Sequence, residues 1–200
     1  MPNATCLFEK PSRDVMKNSE SRWTAVAQMS LIYMSNHIME CKLPVYVSDE
    51  MGYLDQIGLM DVSGFHFGNT VCEQGLTGPM FGITDFNIKY NRIVPDITNL
   101  RAADRHVTLI EVKTLSESVL RNIEVYDEFC QYLRHRSWSC DFYYLLSHGH
   151  EKQKDWPALS KKRSKIIIWE DLFRVMAESP MADIIGESLH QYCDPPAIRG

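Results

Sequence analysis

The apolar positions in the first third of the chain recur every three or four residues, which is the spacing of one face of an α-helix. Ser21 or Thr24 can cap a helix that is predicted to run to about Cys41. Two shorter helices are predicted over residues 51–60 and 65–74. Glycines and a proline then interrupt the pattern, which indicates a change from helical to extended structure.

Alternating positions and short continuous apolar runs predict strands in the second part of the chain. The predicted strands cover residues 83–90, 92–97, 107–113, 142–146 and 166–169. We expect a polar turn over residues 98–105 and a loop rich in basic residues before the last strand. A long helix is predicted over 116–136, and a closing helix over 170–178.

This order of elements predicts an α/β (α+β) fold, a small mixed sheet flanked by helices. A length of 200 residues corresponds to one domain, so residues 1–200 are expected to form a single unit. Within it, residues 1–20 are expected to be a loose N-terminal lead-in and residues 180–200 a C-terminal tail.

Composition narrows the class of protein. The formal net charge of −5 excludes a module that binds nucleic acid by bulk positive charge, but not an enzyme that meets phosphates through metal ions held by carboxylates. The six cysteines are scattered, which predicts reduced thiols. Without a long apolar run or a recognisable secretory signal, we expect no membrane contact and an intracellular location.

Two short segments carry the candidate chemistry: Pro95-Asp96 and Glu111-Val112-Lys113. Side chains alternate along a strand, so Glu111 and Lys113 point to the same face. If the strands over 92–97 and 107–113 pair as a hairpin, Asp96 lies beside Glu111. Two carboxylates that close repel each other unless a cation lies between them, and a divalent metal ion with oxygen ligands meets this need.

These two segments resemble the signature of the PD-(D/E)xK nuclease superfamily, whose core has a similar order of helices and strands. The resemblance implies that Asp96 and Glu111 bind the metal and that Lys113 assists catalysis. The structural alternative for the same residues is a Pro-Asp turn and a solvated Glu/Lys edge strand.

Size and spacing are most similar to the N-terminal cap-snatching endonuclease domains of segmented negative-strand RNA virus polymerases, the bunyavirus and phenuivirus L proteins. Those domains carry a metal-binding histidine upstream of the Pro-Asp. The segment Ser63-Gly64-Phe65-His66-Phe67-Gly68 looks similar, although Ser63 stands where their histidine falls. A side chain three residues later lies on roughly the same face of a helix, so His66 is the predicted ligand. His37, late in the first helix, is the alternative.

The resemblance also implies a second metal site with a further acidic ligand, for which Glu73 is predicted and Asp85 is the alternative. One Mn²⁺ or Mg²⁺ would activate a water, and the second would stabilise the leaving oxygen. An imidazole ligand favours Mn²⁺ over Mg²⁺. The predicted ligands are His66, Asp96, Glu111 and the Val112 carbonyl for the first ion, and Asp96 and Glu73 for the second.

The expected substrate is single-stranded RNA, namely host messenger RNA cut to give capped primers for viral transcription. The expected partner is the remainder of a larger polymerase polypeptide, and the isolated domain is expected to be monomeric. Residues that could contact phosphates are Arg121, Arg134, Arg136 and the basic run over 152–165. Two alternatives stay open: a DNase of the same fold from a cellular, phage or mobile-element source, and a catalytically inert binding domain.

Overall fold

The structure, a computed structural model, describes residues 20–113, 118–120, 123–147 and 153–176. Its described helices are α1 (Glu20–His37), α2 (Gly78–Phe81), α3 (Ile123–Arg134), α4 (Trp156–Lys162) and α5 (Trp169–Met176). Its described strands are β1 (Lys42–Ser48), β2 (Leu54–Asp61), β3 (Thr70–Cys72), β4 (Ile97–Arg101), β5 (His106–Val112), β6 (Ser139–Leu146) and β7 (Lys165–Ile168). Short 3₁₀ turns cover Ile88–Arg92, Ala102–Asp104 and Gln153–Asp155.

All seven described strands belong to one mixed sheet, in the order β2-β1-β7-β6-β5-β4-β3. The central strands β5, β6 and β7 are parallel, and the strands on either side of them pair antiparallel. The predicted α/β (α+β) class with a mixed sheet flanked by helices is therefore confirmed. None of the described helices is long and apolar enough to cross a membrane.

Helices cover both faces of the sheet. On one face, α1 and α5 pack against Ile110, Val112 and Leu145. On the other face, α3 packs against Leu109, and α3 and α4 together pack against Leu146. Because side chains alternate along β5, Glu111 lies on the face that α3 covers.

The hairpin of β1 and β2 replaces the helix predicted over 51–60. Asp49 closes its turn, since its Oδ1 accepts hydrogen bonds from the backbone N–H groups of Met51 and Tyr53. Gly52 supplies the left-handed conformation that the turn requires, with φ 90°. The helical prediction was wrong because a short apolar run fits either period, and pairing with β1 decided between them.

A loop and β3 replace the helix predicted over 65–74. The Asn69 side chain holds the loop closed by accepting from the His66 N–H and donating to the Gly64 carbonyl. The strand predicted over 83–90 is also wrong, because that segment enters the turn Ile88–Arg92, which the Asn87 side chain caps.

Strand β4 occupies the polar segment that was predicted to be a turn, whereas most of the strand predicted over 92–97 is irregular. Asn99 makes this possible, because its buried side-chain amide donates to Thr70 Oγ1 and to the Gly64 carbonyl. The predicted basic loop likewise contains a helix, α4. A polar segment is solvent-exposed only where its groups lack partners inside the fold, and the partners of Asn99 lie inside it.

The remaining predicted elements are found, and α1, β5, β6, β7 and α5 lie close to their expected bounds. The helix predicted over 116–136 is shorter than expected, because α3 begins at Ile123 and residues 118–120 are not helical. The predicted starts and ends that fall on residues 114–117, 121–122 and 177–178 lie outside the described residues, as do the lead-in before residue 20 and the tail over 180–200.

Candidate active site

Asp96, the residue before β4, lies beside Glu111 of β5, as the predicted hairpin required. Ile97 of β4 is paired with Ile110 of β5, so the antiparallel register brings Asp96, one residue earlier, opposite Glu111. Asp96 Oδ2 accepts a hydrogen bond of 2.6 Å from the Val112 N–H. Both carboxylate residues are buried, with exposed fractions of 9% and 3%.

Lys113 lies on the same side of the sheet as Glu111, at the carboxyl end of β5. Its Nζ is 2.8 Å from Glu111 Oε1, and its side chain is 8% exposed. Its backbone is held by β6 and α5, because its N–H donates to the Leu145 carbonyl and its carbonyl accepts from Trp169 Nε1 at 3.4 Å. The sheet therefore holds a cation and a carboxylate in contact in a buried position.

A tyrosine that was not predicted completes the cluster. Tyr126 of α3 donates a hydrogen bond of 2.8 Å to Glu111 Oε2, and its ring stacks on Phe142 with centroids 4.3 Å apart. Burial, followed by the charge of Glu111, raises the pKa of the Tyr126 hydroxyl far above its ordinary value. Its position in the apolar stripe of α3 reads as a core residue, so the sequence carried no signal for it.

Glu73 is brought beside Asp96 through its backbone. The Glu73 N–H donates to the Asp96 carbonyl at 3.0 Å, and the residue adopts a left-handed conformation with φ 48° just after β3. Its side chain is exposed. The neighbouring Cys72 has a pKa of about 11, raised by burial and then by the charges of Glu73 and Asp96.

The structure does not bring His66 to this cluster. His66 is exposed and lies in a loop, where its Nδ1 is 3.2 Å from Asn36 Oδ1. The loop is tied to the far end of β4, since the Leu100 N–H donates to the Asn69 carbonyl. At ~3.4 Å per residue along a strand, Asp96 and Leu100 are about 14 Å apart. The described arrangement gives no support to His66 as a ligand.

The two alternative candidates also lie apart from the cluster. His37 is exposed at the end of α1 and contacts the Tyr33 ring in a tilted arrangement, with ring centroids 4.5 Å apart. Asp85 is exposed and forms an ion pair with Arg136 at 3.0 Å.

Several of the basic residues proposed to contact phosphates have partners within the protein. Arg134 donates to the Cys140 carbonyl, and Arg136 pairs with Asp85. In the basic run, Lys162 lies 3.7 Å from Asp127 and Lys165 lies 2.6 Å from Asp141. Arg121 and Lys152 lie outside the described residues.

The donor set of the cluster suits a hard divalent cation. Asp96 and Glu111 supply carboxylate oxygens, and the Val112 carbonyl faces the same neighbouring strand as the Val112 N–H that contacts Asp96. Carboxylate and carbonyl oxygens suit Mg²⁺ and Mn²⁺. Across residues 20–113, 118–120, 123–147 and 153–176, no three His, Cys, Asp or Glu side chains are grouped closely enough to hold a metal ion by themselves.

Comparison of the chain with protein-family models, with curated proteins and with solved structures found no match. The resemblance to PD-(D/E)xK nucleases accordingly remains an expectation from the sequence. The residues of its two short motifs, Asp96, Glu111 and Lys113, meet at one end of the central strands.

Proposed function

We propose that this chain is a divalent-metal-dependent endonuclease that hydrolyses phosphodiester bonds of single-stranded RNA. The observation that supports the proposal is the buried cluster in which Asp96 lies opposite Glu111 and Lys113 contacts Glu111. The resemblance to cap-snatching domains extends the proposal to capped host messages as substrate and to a larger polymerase polypeptide as the setting.

The proposed metal ligands are Asp96, Glu111 and the Val112 carbonyl. Mn²⁺ or Mg²⁺ held there would supply an activated water and stabilise the charge of the reacting phosphate. With His66 placed elsewhere, the proposed ligands Asp96, Glu111 and the Val112 carbonyl are all oxygen ligands, which suit both Mg²⁺ and Mn²⁺.

Lys113 has a role that follows from its contact with Glu111. The Lys113 ammonium lies 2.8 Å from Glu111 Oε1, within the buried cluster. A buried ammonium next to the bound phosphate stabilises negative charge that develops on the phosphate oxygens, and it does so without reorganising in the reaction. We therefore assign Lys113 the stabilisation of that charge.

A catalytically inert nuclease-fold domain is the second candidate, and one observation favours it. Lys113 and Tyr126 already engage both oxygens of Glu111, and among the described residues no third acidic or histidine side chain joins Asp96 and Glu111. In this case the ion pair is a structural feature of the core.

Cleavage of matched RNA and DNA oligonucleotides with Mn²⁺, Mg²⁺ or EDTA tests the proposal. We expect the chain to cut single-stranded RNA with either metal and not with EDTA. Loss of a partner that only orients a metal ligand costs roughly 10- to 100-fold, so Asp96→Asn and Glu111→Gln should lower the rate by about 100-fold or more. Asp85→Asn is the matched control, because Asp85 is exposed and pairs with Arg136 away from the cluster.

Other results decide between the alternatives. Cutting of DNA alone would identify a DNase. No cleavage, together with no rise of the melting temperature on adding Mn²⁺, would identify the inert domain, since a bound ion stabilises the folded state by mass action. His66→Ala tests the predicted histidine ligand. Because His66 lies away from the cluster, we expect the Mn²⁺ dependence of cleavage to be unchanged. A large loss of cleavage would instead identify His66 as a metal ligand.

A further inference from the structure

We infer that Tyr126 is a positioning residue that orients the Glu111 carboxylate toward the metal. The inference rests on the proposed function and adds a residue to its site. It starts from the 2.8 Å hydrogen bond that the Tyr126 hydroxyl donates to Glu111 Oε2.

The Glu111 side chain is held from two directions. Lys113 contacts Oε1 from the same strand, and Tyr126 contacts Oε2 from α3. Two contacts on different oxygens determine the plane of a carboxylate, whereas one contact leaves it free to rotate. Each carboxylate oxygen has two lone pairs, so a hydrogen bond to an oxygen does not by itself prevent that oxygen from binding a metal ion.

Tyr126 is itself held rigidly. It is 3% exposed, and its ring lies nearly parallel to the Phe142 ring, with an interplanar angle of 12°. The packed ring therefore fixes the position of the hydroxyl oxygen beside Glu111. Through Tyr126, helix α3 therefore holds the Glu111 side chain of β5 in place. Hydrophobic packing of the ring alone would not require a hydroxyl at this position.

A second tyrosine provides a comparison. Tyr144 of β6 is paired with Glu111 in the sheet register and is fully buried. Its hydroxyl has no hydrogen-bond partner among the residues described. Two tyrosine hydroxyls are thus buried near Glu111, and the one that bonds the carboxylate belongs to Tyr126.

The test compares the full chain with Tyr126→Phe and Tyr144→Phe. Each variant removes one buried hydroxyl and keeps the ring. Mn²⁺ affinity is measured by electron paramagnetic resonance of the free ion, RNA cleavage by kcat and KM, and folding by the melting temperature in EDTA. Hydrogen-bonding partners of metal ligands are worth roughly 10- to 100-fold in affinity or activity. We expect Tyr126→Phe to weaken Mn²⁺ binding and lower kcat by about 10-fold or more.

A structural role would not produce this pattern. Tyr126→Phe is expected to leave KM for RNA nearly unchanged, and Tyr144→Phe to leave both Mn²⁺ affinity and kcat unchanged. Mn²⁺ binding by Tyr126→Phe equal to that of the parent chain would overturn the inference and leave the proposed function standing. Equal losses in the two variants would overturn it as well, since they would indicate general packing.

A double-mutant cycle shows whether Tyr126 acts through Glu111. In the Glu111→Gln background, Tyr126→Phe should have no additional effect on Mn²⁺ affinity, because the carboxylate to be oriented is gone. Additive losses would contradict the inference. Failure of the parent chain to bind Mn²⁺ or to cut RNA would overturn the proposed function and this inference together, and that result is seen before any variant is measured.

Discussion

At the scale of single residues, Glu111 must keep its buried carboxylate paired and, on the proposed function, must also bind a metal ion. Its buried carboxylate needs partners, because removing one partner of a buried ion pair leaves an uncompensated charge that costs several kcal/mol. The fold meets this demand with Lys113 and Tyr126. The strand register places the same carboxylate opposite Asp96, and on the proposed function it also binds the metal ion, so stability and metal binding must be measured side by side in every variant of this cluster.

His106, at the start of β5, is a second residue whose surroundings set its properties. Its Nδ1 lies 2.8 Å from Ser139 Oγ, and its Nε2 lies 3.1 Å from Thr108 Oγ1. Burial, followed by the charge of Arg101, lowers the pKa of His106 below its ordinary value of 6.5. The other charged groups that act on the ring are Asp141, Asp104 and Lys165.

This lowered pKa predicts a pH dependence of stability. Below about pH 6.5 the unfolded chain binds a proton at residue 106 that the folded chain binds only at lower pH, so the free energy of unfolding falls as the pH falls. We expect His106→Gln to reduce the drop in melting temperature between pH 7.5 and pH 5.5. The exposed His135 provides a control substitution, His135→Gln, at a histidine that lies outside these contacts. An identical drop in parent chain and His106→Gln would contradict the prediction.

At the scale of elements, the segment around α2 depends on a close backbone approach. A Cβ built on Gly78 would lie 2.7 Å from Phe86 Cβ and even closer to the Ile83 carbonyl oxygen. Both neighbours belong to the segment that precedes the turn Ile88–Arg92. This glycine therefore lets α2 pack closely against the segment that leads to Asp96.

Gly78→Ala is therefore expected to destabilise the domain. Overpacking of this kind typically costs about 1–3 kcal/mol, and the crowding atom here is backbone, which cannot rotate away. Urea denaturation should show a lower midpoint with an unchanged slope. Gly68→Ala is the matched control, because nothing lies within 4 Å of a Cβ at that glycine. Equal midpoints for the two variants would count against the proposed packing.

Elements differed in how well the sequence predicted them. Strands β6 and β7 contain continuous apolar runs and β5 alternates between apolar and polar residues, and these local patterns are enough to identify the three strands. Strand β4 is short and polar, and it is a strand because Asn99 and its neighbours find partners in β3 and the preceding loop. Hydrogen bonds between residues this far apart in the chain leave no local trace in a sequence.

At the scale of the whole molecule, the sheet gathers residues that are distant along the chain. Asp96 lies on the antiparallel side of β5, and Tyr126 belongs to the helix that lies between β5 and β6 in the chain. Glu73 and Cys72 reach the same end of the sheet through β3. The candidate site thus lies where the parallel centre of the sheet meets its antiparallel edge.

The charge of the whole chain predicts how RNA should bind. With a net charge of −5, the chain should not attract a phosphate backbone by itself, and metal ions at Asp96 and Glu111 would reverse the sign locally. Fluorescence anisotropy of a labelled single-stranded RNA should show no saturable binding in EDTA at 150 mM salt. Ca²⁺, which also takes oxygen ligands, should restore binding in the parent chain and not in Glu111→Gln. Tight binding in EDTA would point to a basic surface instead.

The sequence by itself determined the α/β class, the central strands, and the neighbouring placement of Asp96, Glu111 and Lys113. These follow from local periodicity and from the pairing of two segments close together in the chain. Only the tertiary structure decided that Tyr126 joins Glu111 and that His66 belongs to the opposite end of β4. Both depend on contacts between distant segments, in which burial and hydrogen bonding across the sheet outweigh local preference.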